Sequence, residues 1–232
     1  MRKKILLALL GLGLVMGPAL PVMPYWEISQ LSTATRLPEN DPGLWETALV
    51  FSEEIMFPGE ITCPPGYKVI VHFLNNSPFS VNVAGKLENR PNQTVPAGGL
   101  ATLVLGKLDA GVHVYHVQYK LMFHCHNETE DISLPFRVKA GIWPGETDNL
   151  REACIFYNGR PYPRRTRIPS GVHTDLGLAN AGRSRTLSLK AGDWNFMLPA
   201  NQLTVVEMRK PRKASHIFPL AEDLGSWHLD IR

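Results

Sequence analysis

The stretch Ile61–Val83, ITCPPGYKVIVHFLNNSPFSVNV, leaves this chain the fewest ways to fold. Tyr67, Val69, Val71 and Phe73 recur with period two, the spacing that puts side chains on one face of a strand and points them into a core. Pro64-Pro65-Gly66 turns the chain into that strand, and Asn75-Asn76-Ser77-Pro78 turns it out again. Strands of this kind, bounded by turns, recur along the sequence at Trp45–Met56, Ala101–Leu105, Val112–Tyr119 and Ile132–Val138. With 19 Gly and 19 Pro in 232 residues, turns are plentiful. The expected fold class is all-β.

At these residues the chain resembles a cupredoxin, the blue-copper β-sandwich. That family shows a Pro-x-Gly turn, a strand ending in Phe-x-Asn, and a His-Asn pair whose His binds copper. Here the pair reads Val81-Asn82. The family approaches its ligand loop through Gly-x-Tyr-x-Phe-x-Cys. Gly111–Val117 matches that spacing, with His113 at the Tyr position and Val117 at the Cys position. Lys120 stands where the family often has His. A second alignment sets Phe123-His124-Cys125-His126 against the His-Cys-His of multicopper oxidases. That family needs a further His where Glu130 stands, and several His-x-His pairs where this chain has one.

A blue-copper site needs two imidazoles and a thiolate in trigonal array, and valine has no lone pair to give. The resemblance therefore implies the sandwich without the copper centre, and no cofactor. His124, Cys125 and His126 are the residual metal candidates. On a regular strand Cys125 would point away from both neighbours, which speaks against a shared ion. His72, His113 and His116 read as ordinary strand residues.

The pattern returns in the second half. Ile168-Pro169-Ser170-Gly171 followed by Asn180-Ala181-Gly182 repeats Cys63–Gly66 followed by Asn75–Ser77, 105 residues on. Val172, Leu176 and Leu178 take the places of Tyr67, Val71 and Phe73. Gly225–Ile231 is aligned with Gly111–Val117, which puts Ile231 at the Cys position. One copy has the length of one sandwich, not of a solenoid repeat. The expected architecture is two cupredoxin-like Greek-key β-sandwiches in tandem, preceded by an N-terminal hydrophobic helix. The expected bounds are an anchor at 1–26, a linker at 27–44, a first domain at 45–139, a connector at 140–152 and a second domain at 153–232.

Arg2, Lys3 and Lys4 precede the uncharged run Ile5–Leu20, a pattern that directs export. Two readings compete. Gly17-Pro18-Ala19 offers a small-x-small cleavage site. Extended to Met23, the run spans about 28 Å as a helix, enough to cross hydrocarbon. Tyr25 and Trp26 then fall where an interfacial aromatic belt would lie. The second reading is preferred: an anchor holding the protein on the periplasmic side of the cytoplasmic membrane.

A net charge of +3 on an exported chain argues against nucleic acid. Serine-hydrolase, P-loop and dinucleotide signatures are absent, and no acidic pair suggests acid–base work. No small-molecule substrate is expected, and the protein is read as no enzyme. Cys63, Cys125 and Cys154 allow one disulfide and a free thiol, or none. Arg160–Arg167 and Arg209–Lys213 are basic runs, either solvated loops or a patch for lipid headgroups or an acidic partner. Trp143, Tyr157, Arg160, Tyr162, Arg164 and Arg165 are the residue types enriched at interfaces, and form the candidate partner-binding group. The expected function is that of a scaffolding or accessory subunit of a larger membrane complex, with respiratory and photosynthetic assemblies suggested by the family analogy. The alternative is a periplasmic copper-binding or electron-transfer protein using His124, Cys125 and His126.

Overall fold

The computed structural model describes residues 43–52, 55–85, 93–123, 128–141, 149–182, 184–221 and 224–232, with the backbone alone at 85, 121–123 and 128. The strands of the first half are β1 (Leu44–Ser52), β2 (Ile55–Phe57), β3 (Glu60–Cys63), β4 (Lys68–Asn75), β5 (Val81–Gly85), β6 (Gln93–Val95), β7 (Leu100–Lys107), β8 (Gly111–Phe123) and β9 (Glu128–Ala140). Those of the second are β10 (Asn149–Tyr157), β11 (Arg160–Tyr162), β12 (Arg165–Ile168), β13 (His173–Ala181), β14 (Leu187–Ala191), β15 (Trp194–Leu198), β16 (Gln202–Met208), β17 (Ala214–Pro219) and β18 (Ser226–Ile231). The described residues are all-β, as expected. The hydrophobic segment read as a helix lies outside them.

Strand β4 is where the sequence placed it. Gly66 turns the chain into it at φ 78°, a left-handed conformation that glycine adopts without strain. Val69, Val71 and Phe73 point into a core with Leu49, Phe51, Ile61, Val83, Val117, Phe136 and Val138. That core lies between the sheet β2-β1-β4-β7 and the sheet β3-β9-β8-β5-β6. At the end of β4, buried Asn75 donates from Nδ2 to the carbonyls of Phe79 (2.7 Å), Val95 (3.0 Å) and Pro96 (3.0 Å). It thereby ties the carbonyls of the Phe79 turn and of the end of β6 to one side chain.

The second half repeats this pairing. β11-β10-β13-β16 has the order of β2-β1-β4-β7. In both sheets the first strand runs parallel to its long partner, β1 to β4 and β10 to β13. Gly171 repeats Gly66 at φ 76°. Asn180 repeats Asn75, donating to the carbonyls of Arg185 and Leu198. A second core gathers Leu150, Cys154, Phe156, Leu176, Leu178, Phe218, Trp227, Leu229 and Ile231.

Two expectations are corrected. Residues 149–152, assigned to a connector, are the start of β10. The alignment of Gly225–Ile231 with Gly111–Val117 also fails. β12 pairs parallel with β18 as β3 pairs with β9, so β18 occupies the place of β9 rather than β8. Register then sets Ile231 opposite Ile168 as Ala140 is opposite Cys63. β17 takes the place of β8. Phe218 against Trp227 (4.9 Å between rings) repeats Tyr115 against Phe136 (5.2 Å). The alternating apolar pattern of residues 227–231 fits any core-facing strand, and only pairing distinguishes one strand from the next.

All described strands belong to one compact unit, residues 38–232. The outer faces of the two four-stranded sheets meet in a third apolar cluster of Ala48, Val50, Leu74, Ala153, Ile155, Ala179 and Ala181. Small residues predominate there, which lets the backbones approach closely. The contacts are reciprocal. Tyr162 packs on His72, with ring centroids 5.3 Å apart. Phe57, 105 residues before Tyr162, lies against Gly177, 105 residues after His72. A β-carbon on Gly177 would fall 2.4 Å from Phe57 Cε1. Such exchange of equivalent contacts is the mark of an isologous interface, here within one chain.

Candidate functional site

The positions that the resemblance marks for copper are filled by core. Val81 and Val117 are buried at 1% and 0% exposure. Val117 sits opposite Val83 on one side and Leu134 on the other. In the second half the register replaces Ile231 by Leu220 as the counterpart of Val117, since Phe218 answers to Tyr115. Leu220 packs against the second core. Leu187, opposite Leu198 as Val81 is opposite Val95, completes the set. None of these side chains offers a donor, so the residues do not fit a blue-copper ion. Among the described residues no group of three His, Cys, Asp or Glu could hold a metal. His124, Cys125 and His126 lie outside the described residues. Lys120 pairs with Asp131 at 3.5 Å, both exposed.

Buried titratable residues lie instead at the seam between the halves and in the two cores. Thr47 Oγ1 donates to Glu152 Oε2 at 3.1 Å, and both residues are buried. Burial pushes the Glu152 carboxyl up to about 8, against the opposing effect of the Thr47 hydrogen bond. His72 is buried under Tyr162 at the seam, its Nδ1 3.3 Å from Thr102 Oγ1, and burial lowers its imidazole to about 4. Cys63 is pushed up to about 11 by burial and then by the Glu152 charge. Cys154 is buried and raised by the same cause. Both thiols are free. Burial favours the neutral form of each, with Glu152 and His72 at the seam, Cys63 in the first core and Cys154 in the second.

The candidate partner-binding residues separate. Tyr157 and Tyr162 border the seam cluster, with their rings turned to the interior. Arg160 and Arg164 are exposed. Arg165 pairs with Asp230 at 3.4 Å. Trp143 lies outside the described residues, as do Arg2, Lys3, Lys4, Tyr25 and Trp26. No helix among the described residues is long and apolar enough to cross a membrane.

Two features were not anticipated. Arg167 lies over the Trp45 ring, 5.8 Å from its centroid, and joins β12 of one half to β1 of the other. At the equivalent place across the seam stand Thr62 and Leu150. There the surface opens into a cleft of about 510 Å³, which Glu60, Arg137 and Arg151 also line. Glu152 escaped notice because its strand was read as connector. The charge inside the apolar run of Leu150–Phe156 was the available signal.

The described residues thus form an all-β, sandwich-built body with an internal seam. No protein-family model matches the chain, and no curated protein matches it. Among solved structures it is similar to a multicopper oxidase (13% identity, 82% of this chain and 88% of the other, TM-score 0.29). It is also similar to a copper nitrite reductase from Nitrosomonas europaea (10% identity, 82% and 94%, TM-score 0.30). A multi-copper oxidase from Pseudomonas parafulva matches at 12% identity, 81% and 64%, with a TM-score of 0.30. Likeness at this level bears on neither the chemistry nor the partners of this chain.

Proposed function

We propose that this protein is a non-catalytic accessory subunit of a larger membrane complex. Its two cupredoxin-like sandwiches are joined back to back and held outside the cytoplasmic membrane by the segment Ile5–Met23. The observation that carries the reading is the wholly buried Val117, seated between Val83 and Leu134 where a copper thiolate would otherwise stand. With that position given to packing, the fold supplies surface rather than chemistry. The seam supports the same reading, because it joins the two halves through an apolar face and offers a partner one stiff body. Family analogy directs the search to respiratory and photosynthetic assemblies.

The test is extraction of the native membrane in mild detergent and identification of the proteins that travel with this one. Recovery alone, free of partners, overturns the proposal. Cu(II) added to the purified protein should give no intense thiolate-to-copper band. A band that disappears in Cys125→Ser would replace the scaffold by an electron carrier. Arg160→Ala with Arg164→Ala, both on exposed side chains, should leave the circular dichroism unchanged and lower recovery with the complex, more so at high salt.

A further inference from the structure

The two basic runs of the sequence meet at one end of the second half. Gly171 N donates to Pro211 O at 2.9 Å, and Ser170 N donates to Arg232 O. These bonds draw the loop carrying Lys210, Arg212 and Lys213 against the end of β18, beside β12. Arg165 and Arg167 project from the outer face of β12, in register with His228 and Asp230. Asp230 is the carboxylate among them, shared by Arg165 (3.4 Å) and Arg232 (3.6 Å). Glu46 lies nearby on β1, within the field of Arg167 and Arg164, and burial raises its carboxyl. Arg209 pairs with Glu207 at 2.9 Å, and among the described residues the exposed Lys210, Arg212 and Lys213 form no ion pair, so positive charge is in excess. Arg167 registers this: burial, then Arg232 and Arg165, lower its guanidinium from the ordinary value. Its Nε makes no hydrogen bond, and Trp45 holds it in place from beneath.

We infer that this basic end is a docking surface for an anionic lipid bilayer. Two features favour a bilayer over an acidic protein. A protein interface is organised around a desolvated apolar or aromatic centre. Here Trp45 is buried beneath Arg167, and Ile217 is the strongly exposed large apolar side chain on the β12-β18-β17 face. Exposed cations on a loop, without such a centre, suit a diffuse plane of negative charge. The second feature is placement. β1 begins at Leu44, and Gly43 O accepts from Lys68 N. The chain therefore enters the folded body two residues before the ring that carries Arg167. A tether that joins the body at Gly43 keeps this face within reach of lipid and raises its effective concentration there.

The inference rests on the anchor reading, and its test keeps the two apart. The full chain is reconstituted into vesicles of phosphatidylcholine, with or without phosphatidylglycerol, and washed at alkaline pH. Amine modification of Lys210 and Lys213 is then followed by mass spectrometry, with Lys120 on the β8–β9 hairpin as reference. Both lysines should react several-fold more slowly in the anionic vesicles, and the difference should vanish when salt shortens the Debye length to about 3 Å. Arg212→Glu, on the exposed loop, should weaken the protection, and Arg232→Gln should do so from the strand end. Equal rates in the two lipids overturn the inference. So does protection that appears only when an acidic protein is added to phosphatidylcholine vesicles. Release by the wash would instead end the anchor reading. The freed protein is then floated with the same two vesicle types, and indifference to phosphatidylglycerol there also overturns the inference.

Discussion

Thr47 donates to Glu152 across 3.1 Å, and the two residues are 105 positions apart, the same interval that relates Asn75 to Asn180. Each is thus the counterpart of the other in the opposite half. They meet where the local two-fold relation brings a position against its own equivalent.

This pair gives the protein a pH response. The folded Glu152 keeps its proton up to about 8, whereas the unfolded side chain releases it near 4.5. Its contribution to stability is complete below 4.5 and falls as pH rises through that window. His72 works the other way. Its imidazole is lowered to about 4 from 6.5, so its contribution is complete above 6.5 and is lost as pH falls to about 4. Each slope is about 1.4 kcal/mol per pH unit. The two should cancel between 4.5 and 6.5 and leave a decline between 6.5 and 8. Urea unfolding across pH tests this. Glu152→Gln should abolish the decline and uncover a rise up to 6.5, and His72→Phe should start the decline near 4.5.

Gly177→Ala should loosen the seam. The added β-carbon would stand 2.4 Å from Phe57 Cε1 and 3.1 Å from Leu203 Cδ1. Overpacking of this kind costs about 1–3 kcal/mol. Phe57→Leu in the same chain should recover part of that loss. Denaturant midpoints of the single and double variants decide it; additive losses would mean that the two positions do not touch.

Asn75→Asp should be more damaging than Asn75→Ala. Alanine leaves the Phe79, Val95 and Pro96 carbonyls without their shared donor, a cost of about 1–3 kcal/mol. Aspartate adds a buried negative charge facing those same oxygens. Thermal or urea unfolding of the two variants gives the order, and an equal or reversed ranking would remove the Nδ2 bonds from the account.

Cys63 and Cys154 should resist thiol reagents in the native protein and react once it is unfolded. Both are buried, and burial raises both thiols, so little thiolate forms at neutral pH. Peptide mapping after modification distinguishes them from Cys125. Labelling of Cys154 in the native state would contradict its place in the second core.

The sequence made β4 legible because alternation and flanking turns agree there: Val69, Val71 and Phe73 face a core, and Gly66 takes the left-handed turn. The repeat at 105 was legible for the same reason. The seam was not, since Val50, Leu74, Ile155 and Ala179 occupy faces that alternation assigns to solvent. They are buried because another sheet covers them, and no local pattern reports that. The place of β18 was hidden too, because pairing partners are set by tertiary contacts far along the chain. Of the candidate partner group, Tyr157 and Tyr162 carry the residue types of an interface. The interface they border is internal.

Thr47 opposite Glu152 is a combination that two identical chains cannot make at a two-fold axis. In a dimer of equal halves each substitution arrives twice, so a glutamate on the axis faces a second glutamate, and a threonine a second threonine. Covalent linkage lifts that restriction. A single change at residue 152 alters one side of the seam and leaves residue 47 to answer it. His72 with Tyr162, facing Phe57 with Gly177, shows the same freedom away from the axis: one side carries an imidazole, and the other has given up its side chain to make room for a ring.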